Sequence, residues 1–166
     1  MYLEWNSVKL IISDFDGVMT DNRVLVDETG KESVYVSRAD GQGINILRSL
    51  GIALVIISTE KNNVVKKRAE KLNVECIHGV MDKADCLKIY CAEKNIPLKN
   101  VAYIGNDIND YDAMRLAGIK ITPCDAYDEV KSIADYVTKA KGGCGVVREV
   151  AGLIKNEGRR STDSED

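Results

Sequence analysis

A short, mainly apolar run from Val8 to Ile12 gives way at once to polar Ser13 and Asp14, the pattern of a buried strand whose carboxyl end delivers the residues that follow. Downstream, Arg23 to Val36 reads R-V-L-V-D-E-T-G-K-E-S-V-Y-V, two β-rich arms around Glu28-Thr29-Gly30-Lys31, which predicts a hairpin standing off the main sheet. Beyond it the pattern alternates. A helix is expected from about 40 to 50, stopped by Gly51, and then an apolar strand over 53–57. A strongly basic helix follows over 61–72. Further strands are expected at 75–77, 101–104, 119–121 and 135–137, with helices near 82–94, 108–117, 126–133 and 144–154. Such alternation predicts an α/β fold, a three-layer, doubly wound parallel sheet covered by helices on both faces.

In sheets of this kind ligands bind beyond the carboxyl ends of the strands, close to where strand order reverses. Four polar clusters occupy such positions: 14–20, 58–61, Lys83 at a helix start, and 105–110.

Length and charge narrow the picture. With 166 residues the chain suits one domain over 1–155, large enough for its own core, and the polar ending R-R-S-T-D-S-E-D suggests a disordered tail over 156–166. A formal net charge of −3 offers no basic field to nucleic acid or to an anionic membrane. No apolar run of about 20 residues and no signal-peptide pattern occurs, so a soluble, cytoplasmic protein is expected. The five cysteines form no C-x-x-C pair, and with only His78 to assist a zinc site they read as free thiols of a reducing compartment.

The candidate chemistry begins at D-F-D-G-V-M-T. Asp14 and Asp16 lie two apart after a buried strand, and such close carboxylates repel unless a cation or a shared proton separates them. A hard divalent ion such as Mg2+ suits that arrangement. The plain alternative is an Asp-capped turn followed by Gly17. Taken singly, Ser58 reads as a helix cap and Lys83 as a solvated lysine.

Taken together, D-x-D-G-V-x-T after a strand, Ser58 after the next strand, Lys83 and the acidic loop G-N-D-I-N-D resemble, in order and spacing, the four motifs of the haloacid dehalogenase superfamily over about residues 8–150. The resemblance implies that Asp14 attacks phosphorus and becomes an aspartyl-phosphate. It implies that Asp16 serves as acid and then base, that Ser58 and Lys83 hold the phosphoryl group, and that Mg2+ is bound by Asp14, Asp16 and the last motif. The hairpin, the length without room for a cap domain, and G-G-C-G-V-V-R-E over 142–149 are similar to the small tetrameric sugar-acid phosphatases, in which the hairpin packs on a neighbouring subunit; a homotetramer is implied.

Within that branch S-T-E-K followed by R-A-E-K is more similar to the nonulosonate 9-phosphate phosphatases than to the octulosonate 8-phosphate ones, which place Gly-Arg there. This implies substrate-selecting roles for Glu60, Arg68 and Lys71 and a nine-carbon keto-sugar acid phosphate as substrate. Arg68 and Lys71 read equally as part of a solvated basic face. One departure stands out: Asn106 occupies the place of the usual first Asp of the last motif, with Asp107 as a second candidate ligand. A Gly-Asn pair there also resembles the phosphatase-like domain behind animal-type CMP-sialic acid synthetases, which implies an assembly role as the alternative to catalysis.

Overall fold

In the computed structural model, which describes residues 3–162 and their side chains as far as Glu157, six parallel strands form one sheet in the order β5-β4-β1-β6-β7-β8. In chain order these are β1 (Leu10–Ser13), β4 (Ala53–Ile57), β5 (Glu75–Ile77), β6 (Val101–Ile104), β7 (Ile119–Thr122) and β8 (Tyr136–Val137). Among the described residues the intervening β2 (Leu25–Val26) and β3 (Glu32–Ser33) pair only with each other, antiparallel. The helices are α1 (Arg38–Ser49), α2 (Asn63–Leu72), α3 (Lys83–Glu93), α4 (Ile108–Leu116), the single turn α5 (Asp128–Lys131) and α6 (Val146–Thr162).

The apolar runs are strands because both faces of the sheet are covered. Along β1, Leu10 and Ile12 enter one core with Val55, Ile57 and Tyr103 beneath α3 and α4, while Ile11 enters the other with Ile56, Ile104 and the helices α1 and α6. Every residue of β1 and β6 is buried. Each of their Leu, Ile and Val side chains contributes about 1.5–3 kcal/mol on leaving water, so the two central strands are firmly anchored in the fold. Chain order runs outward from β1 in both directions, first through β4 and β5 and later through β6, β7 and β8. The reversal opens a crevice at the carboxyl end of β1.

Helix starts are fixed by side-chain caps at Ser37, Asn62, Asp82 and Asp107, which accept from Ala39, Val64, Asp85 and Ile108 N–H respectively. A fifth cap is long-range: buried Asp40 of α1 accepts from Val147 N (3.1 Å) and Arg148 N (3.4 Å) at the start of α6. Burial raises the pKa of Asp40 to about 6 even against those two donors.

Three differences from the sequence reading have physical causes. The hairpin turn falls where expected, with Asp27 accepting from Thr29 N, Thr29 Oγ1 and Lys31 N, but its strands are only two residues each. Among the described residues its outward side chains Leu25 (67% exposed) and Tyr35 (76%) stay largely exposed, which leaves so short a hairpin little packing of its own. The expected helix over 126–133 shrinks to one turn. The tail expected from 156 is helical as far as Thr162, because α6 continues past its buried stripe of Val147, Val150, Ala151 and Ile154; residues 163–166 lie outside the described residues.

Candidate active site

The three central strands, β4, β1 and β6, end side by side, so the residues that follow them converge: Ser58 after β4, Asp14 after β1, Asn106 after β6. Lys83, the first residue of α3, reaches in from below with a side chain only 1% exposed. Its Nζ lies 2.8 Å from Asp14 Oδ1 and 2.7 Å from Asp110 Oδ1.

Asp110 was part of an acidic loop in the sequence but carried no assigned role. It is fully buried and is the hub of the site: besides Lys83 it accepts from Tyr103 OH (3.0 Å), Asn106 N (2.9 Å) and Asp107 N (3.4 Å). Two buried carboxylates against one ammonium leave a net negative charge. Burial alone would lower the pKa of Lys83, but Asp14 and Asp110 together hold it above its ordinary value. Burial first, then the charge of Asp110, pushes Asp14 up to about 8, and Lys83 and the Phe15 N–H (2.7 Å from Asp14 Oδ1) offset only part of that. The site as built therefore calls for a further positive charge next to Asp14.

Asn106 shows where that charge could sit. Its side-chain amide presents one terminal atom at 2.9 Å from the backbone O of Asp16 and 3.2 Å from Asp14 Oδ2. As the NH2 group, that atom donates to both oxygens. As the carbonyl oxygen, it completes a triangle of three oxygens, and a Mg2+ ion with octahedral bonds of about 2.0–2.1 Å sets neighbouring ligand oxygens roughly 2.9 Å apart. The donor set thus fits a hard divalent cation.

Among the described residues no three His, Cys, Asp or Glu side chains group as a metal site, and the reason is visible: the donors here are one carboxylate, one main-chain carbonyl and one amide. The structure brings Asp14 and Asn106 together as expected but places Asp16 in the triangle through its backbone O. The Asp107 side chain, the other expected ligand, caps α4 at 2.6 Å from Ile108 N.

The Asp16 side chain is free for other work. Burial raises its pKa; the Thr20 hydroxyl, 3.2 Å away, opposes this, and the charges of Glu60 and Glu32 reinforce it. A carboxyl whose pKa is raised holds its proton more readily than a free aspartate and is suited to donate it. Ser58 is buried; its Oγ accepts from Glu60 N (3.1 Å), which leaves the hydroxyl proton to be donated into the cleft. Gly17, at φ +84°, is required twice over: a side chain there would strain the backbone, and its Cβ would fall 2.0 Å from the Asn106 amide. Behind this loop the G-G-C-G segment packs so closely that a Cβ on Gly142 would lie 2.3 Å from Gly17 O.

Asp14, Asp16, Ser58 and Asn106 line a cleft of about 170 Å³ that also includes Glu60, Asn22, Asn109 and Asp107. Arg68 and Lys71 are not in it. They border a separate cavity of about 620 Å³ between α1 and α2 with Arg38, and Arg68 Nη2 donates to Ser37 O at 2.8 Å. Within one chain, then, Glu60 is the member of the expected substrate-selecting trio that faces the cleft.

Residues 53–150 match the family model of haloacid dehalogenase-like hydrolases. The 3-deoxy-D-manno-octulosonate 8-phosphate phosphatase of Yersinia pestis is 34% identical over 149 residues, covering 89% of this chain and 80% of that protein. The chain belongs to the haloacid dehalogenase-like hydrolase family. Its branch is that of the sugar-acid phosphatases. A solved structure described as a hydrolase of this family, from Streptomyces avermitilis, superposes with a TM-score of 0.89 at 42% identity, over 92% of this chain and 88% of the other. The 3-deoxy-D-manno-octulosonate 8-phosphate phosphatase of Moraxella catarrhalis, solved with magnesium, phosphate and the sugar acid, gives a TM-score of 0.88 at 31% identity over 98% and 95%.

The hub is open to test. Asp110→Asn removes the charge that faces Lys83 and frees two or more donors, and breaking a buried ionic network typically costs about 3–5 kcal/mol. Thermal unfolding of the variant is expected to fall by several degrees, with phosphate-ester turnover reduced in the fraction that remains folded.

Proposed function

We propose that the chain is a Mg2+-dependent phosphatase acting on the phosphate monoester of a keto-deoxy sugar acid of the nonulosonate (acylneuraminate) 9-phosphate type, through an aspartyl-phosphate on Asp14. The observation that carries this reading is the pairing of Asp14, held by Lys83 and the Phe15 N–H, with an Asp16 carboxyl whose pKa is raised beside it. An Asp14 oxygen attacks phosphorus as the bond to the sugar oxygen breaks, and Asp16 gives its proton to that oxygen. Asp16, now a carboxylate, takes a proton from a water whose oxygen attacks the acyl phosphate. Inorganic phosphate leaves and both groups return to their starting states. Ser58 donates to a phosphoryl oxygen, and Lys83 fixes the Asp14 carboxylate. Asp14, the Asp16 carbonyl and Asn106 would hold the cation, which supplies positive charge to the phosphoryl oxygens.

A cleft of about 170 Å³ takes a phosphoryl group but not a nine-carbon sugar, since pockets for whole ligands of that size run to about 300–1,000 Å³. The sugar must therefore lie above it, against Glu60 and the hairpin. A homotetramer supplies the missing wall in this reading: the outward Leu25 and Tyr35 of the hairpin are exposed in one chain, and Arg68 and Lys71 would reach a sugar only across a subunit boundary. An intracellular setting suits the five free thiols.

Two other readings have specific support. The identity to octulosonate 8-phosphate phosphatases favours an eight-carbon substrate, with the same catalytic residues. Asn106 in place of a carboxylate favours the assembly role related to CMP-acylneuraminate synthetases. Against the latter, a buried Lys83–Asp14–Asp110 cluster is costly to maintain where no chemistry needs it.

Phosphate release with Mg2+ from nine-carbon and eight-carbon keto-sugar acid phosphates decides among the three. The nine-carbon ester is expected to give the higher kcat/KM; preference for the eight-carbon one reverses the assignment, and no release from either leaves the assembly role. Asp14→Asn should fold normally and lose turnover by about three orders of magnitude or more, as removal of a covalent nucleophile does. Light scattering is expected to return four times the 18.3 kDa chain mass, and a monomer at micromolar concentration would remove the shared wall. Asn106→Asp restores a carboxylate to the triangle and should lower the Mg2+ concentration for half-maximal activity, with tighter binding in a calorimetric titration. Unchanged Mg2+ binding would take Asn106 out of the ligand set.

A further inference from the structure

The inward face of the hairpin's second arm reads Glu32, Val34, Val36, alternating with exposed Lys31, Ser33 and Tyr35. Val34 and Val36 pack against the core under α2, and the Thr20–Val36 bridge ties the base of the hairpin to the loop that carries Asp14 and Asp16. The third inward residue is a carboxylate. Among the described residues it finds one donor, the Nδ2 of Asn62. That amide is used at both ends, since its Oδ1 accepts from Val64 N (3.0 Å) as the N-cap of α2. Asn62 closes the loop that begins at Ser58 and includes Glu60, and Glu32 lies close enough to Asp16 for its charge to be felt there.

We propose that Glu32 and Asn62 form a clamp that sets the hairpin on the rim of the cleft, so that Glu32 is a positioning residue for the sugar-binding wall. The hairpin has two-residue strands that pair with each other, so its place beside the Asp14–Asp16 loop depends on a few inward contacts. Two of these are apolar and permit sliding. A hydrogen bond from an amide to a carboxylate is directional, and it fixes the arm relative to Glu60. Because Asn62 also starts α2, the hairpin, the Ser58–Glu60 loop and that helix take one position together.

The chemistry of Asn62 allows a clean test. Asn62→Asp keeps the N-cap, at which Asp and Asn are equivalent, but replaces the donor to Glu32 with a repelling oxygen. Adding Glu32→Gln restores a donor–acceptor pair in the reverse sense. Trypsin cleavage after Arg23 and Lys31, on the folded protein, reports the hairpin without any substrate. The single variant is expected to be cut about tenfold faster than wild type, the loss expected for one charge-assisted hydrogen bond, and the double variant at close to the wild-type rate.

In the kinetic arm, which rests on the sugar-acid phosphatase reading, Asn62→Asp should raise KM for the sugar-acid phosphate several-fold while leaving kcat/KM for p-nitrophenyl phosphate nearly unchanged, and the double variant should recover the KM. Equal trypsin sensitivity of wild type and single variant overturns the clamp. So does failure of Glu32→Gln to rescue, because the loss then comes from the added charge alone. If no sugar-acid phosphate is a substrate of the wild type, the kinetic reading fails with the proposed function and the cleavage result still decides the clamp.

Discussion

The site depends on one constraint, the burial of Lys83 between two carboxylates. Asp14 ends β1, Asp110 sits in the first turn of α4, and Lys83 opens α3. An ammonium withdrawn from water at a position only 1% exposed is tolerable only with partners at hydrogen-bond distance. The three elements that bring those partners are thereby held to one arrangement. Asp110 extends the constraint to the β6 loop through the N–H groups of Asn106 and Asp107, and to β6 itself through Tyr103. The same ionic cluster that aims Asp14 also sets the loop that carries Asn106.

That arrangement leaves the cluster short of positive charge, and Asn106 answers the shortage in a way an aspartate could not. An amide has both a donor end and an acceptor end, so the same side chain can bond to the Asp14 carboxylate and the Asp16 carbonyl through its NH2, or turn its oxygen to a cation. A carboxylate in this place would add a third buried negative charge next to Asp14 and Asp110. The asparagine trades cation affinity for a site whose shortage of positive charge is made no worse.

Much of this was legible in the sequence because it lies at strand ends, where a buried apolar run followed by a polar residue marks position without needing tertiary detail. Asp14 and Ser58 are of that kind, and so is the order of strands and helices around them, whereas Lys83, at the start of α3, was reached through the resemblance of the motifs. Asp110 was not, because its importance comes from four donors contributed by α3, β6 and the loop between β6 and α4. A signal did exist in D-x-x-D at a helix start, the form of a reciprocal cap, which Asp107 and Asp110 adopt. Asp16 was assigned to the metal through its side chain because a sequence names side chains, whereas the group that faces Asn106 is its carbonyl. Arg68 and Lys71 were read from a motif, which does not say whether a residue faces the cleft of its own chain, and within one chain they border a separate cavity.

The last of these limits reflects a division of labour within the fold. The chemistry of breaking a phosphate ester needs only the few ångströms around Asp14, and rigid central strands provide them within one chain. Recognition of the sugar needs surface that a 170 Å³ cleft does not have. In the proposed function it falls to exposed parts of the molecule with little packed around them: the loop of Glu60, and the hairpin with its exposed Leu25 and Tyr35. Segments held by so few contacts take their final position from whatever packs against them. Substrate choice in such a fold can therefore change through the hairpin, its clamp or its neighbours while the ionic cluster beneath stays as it is.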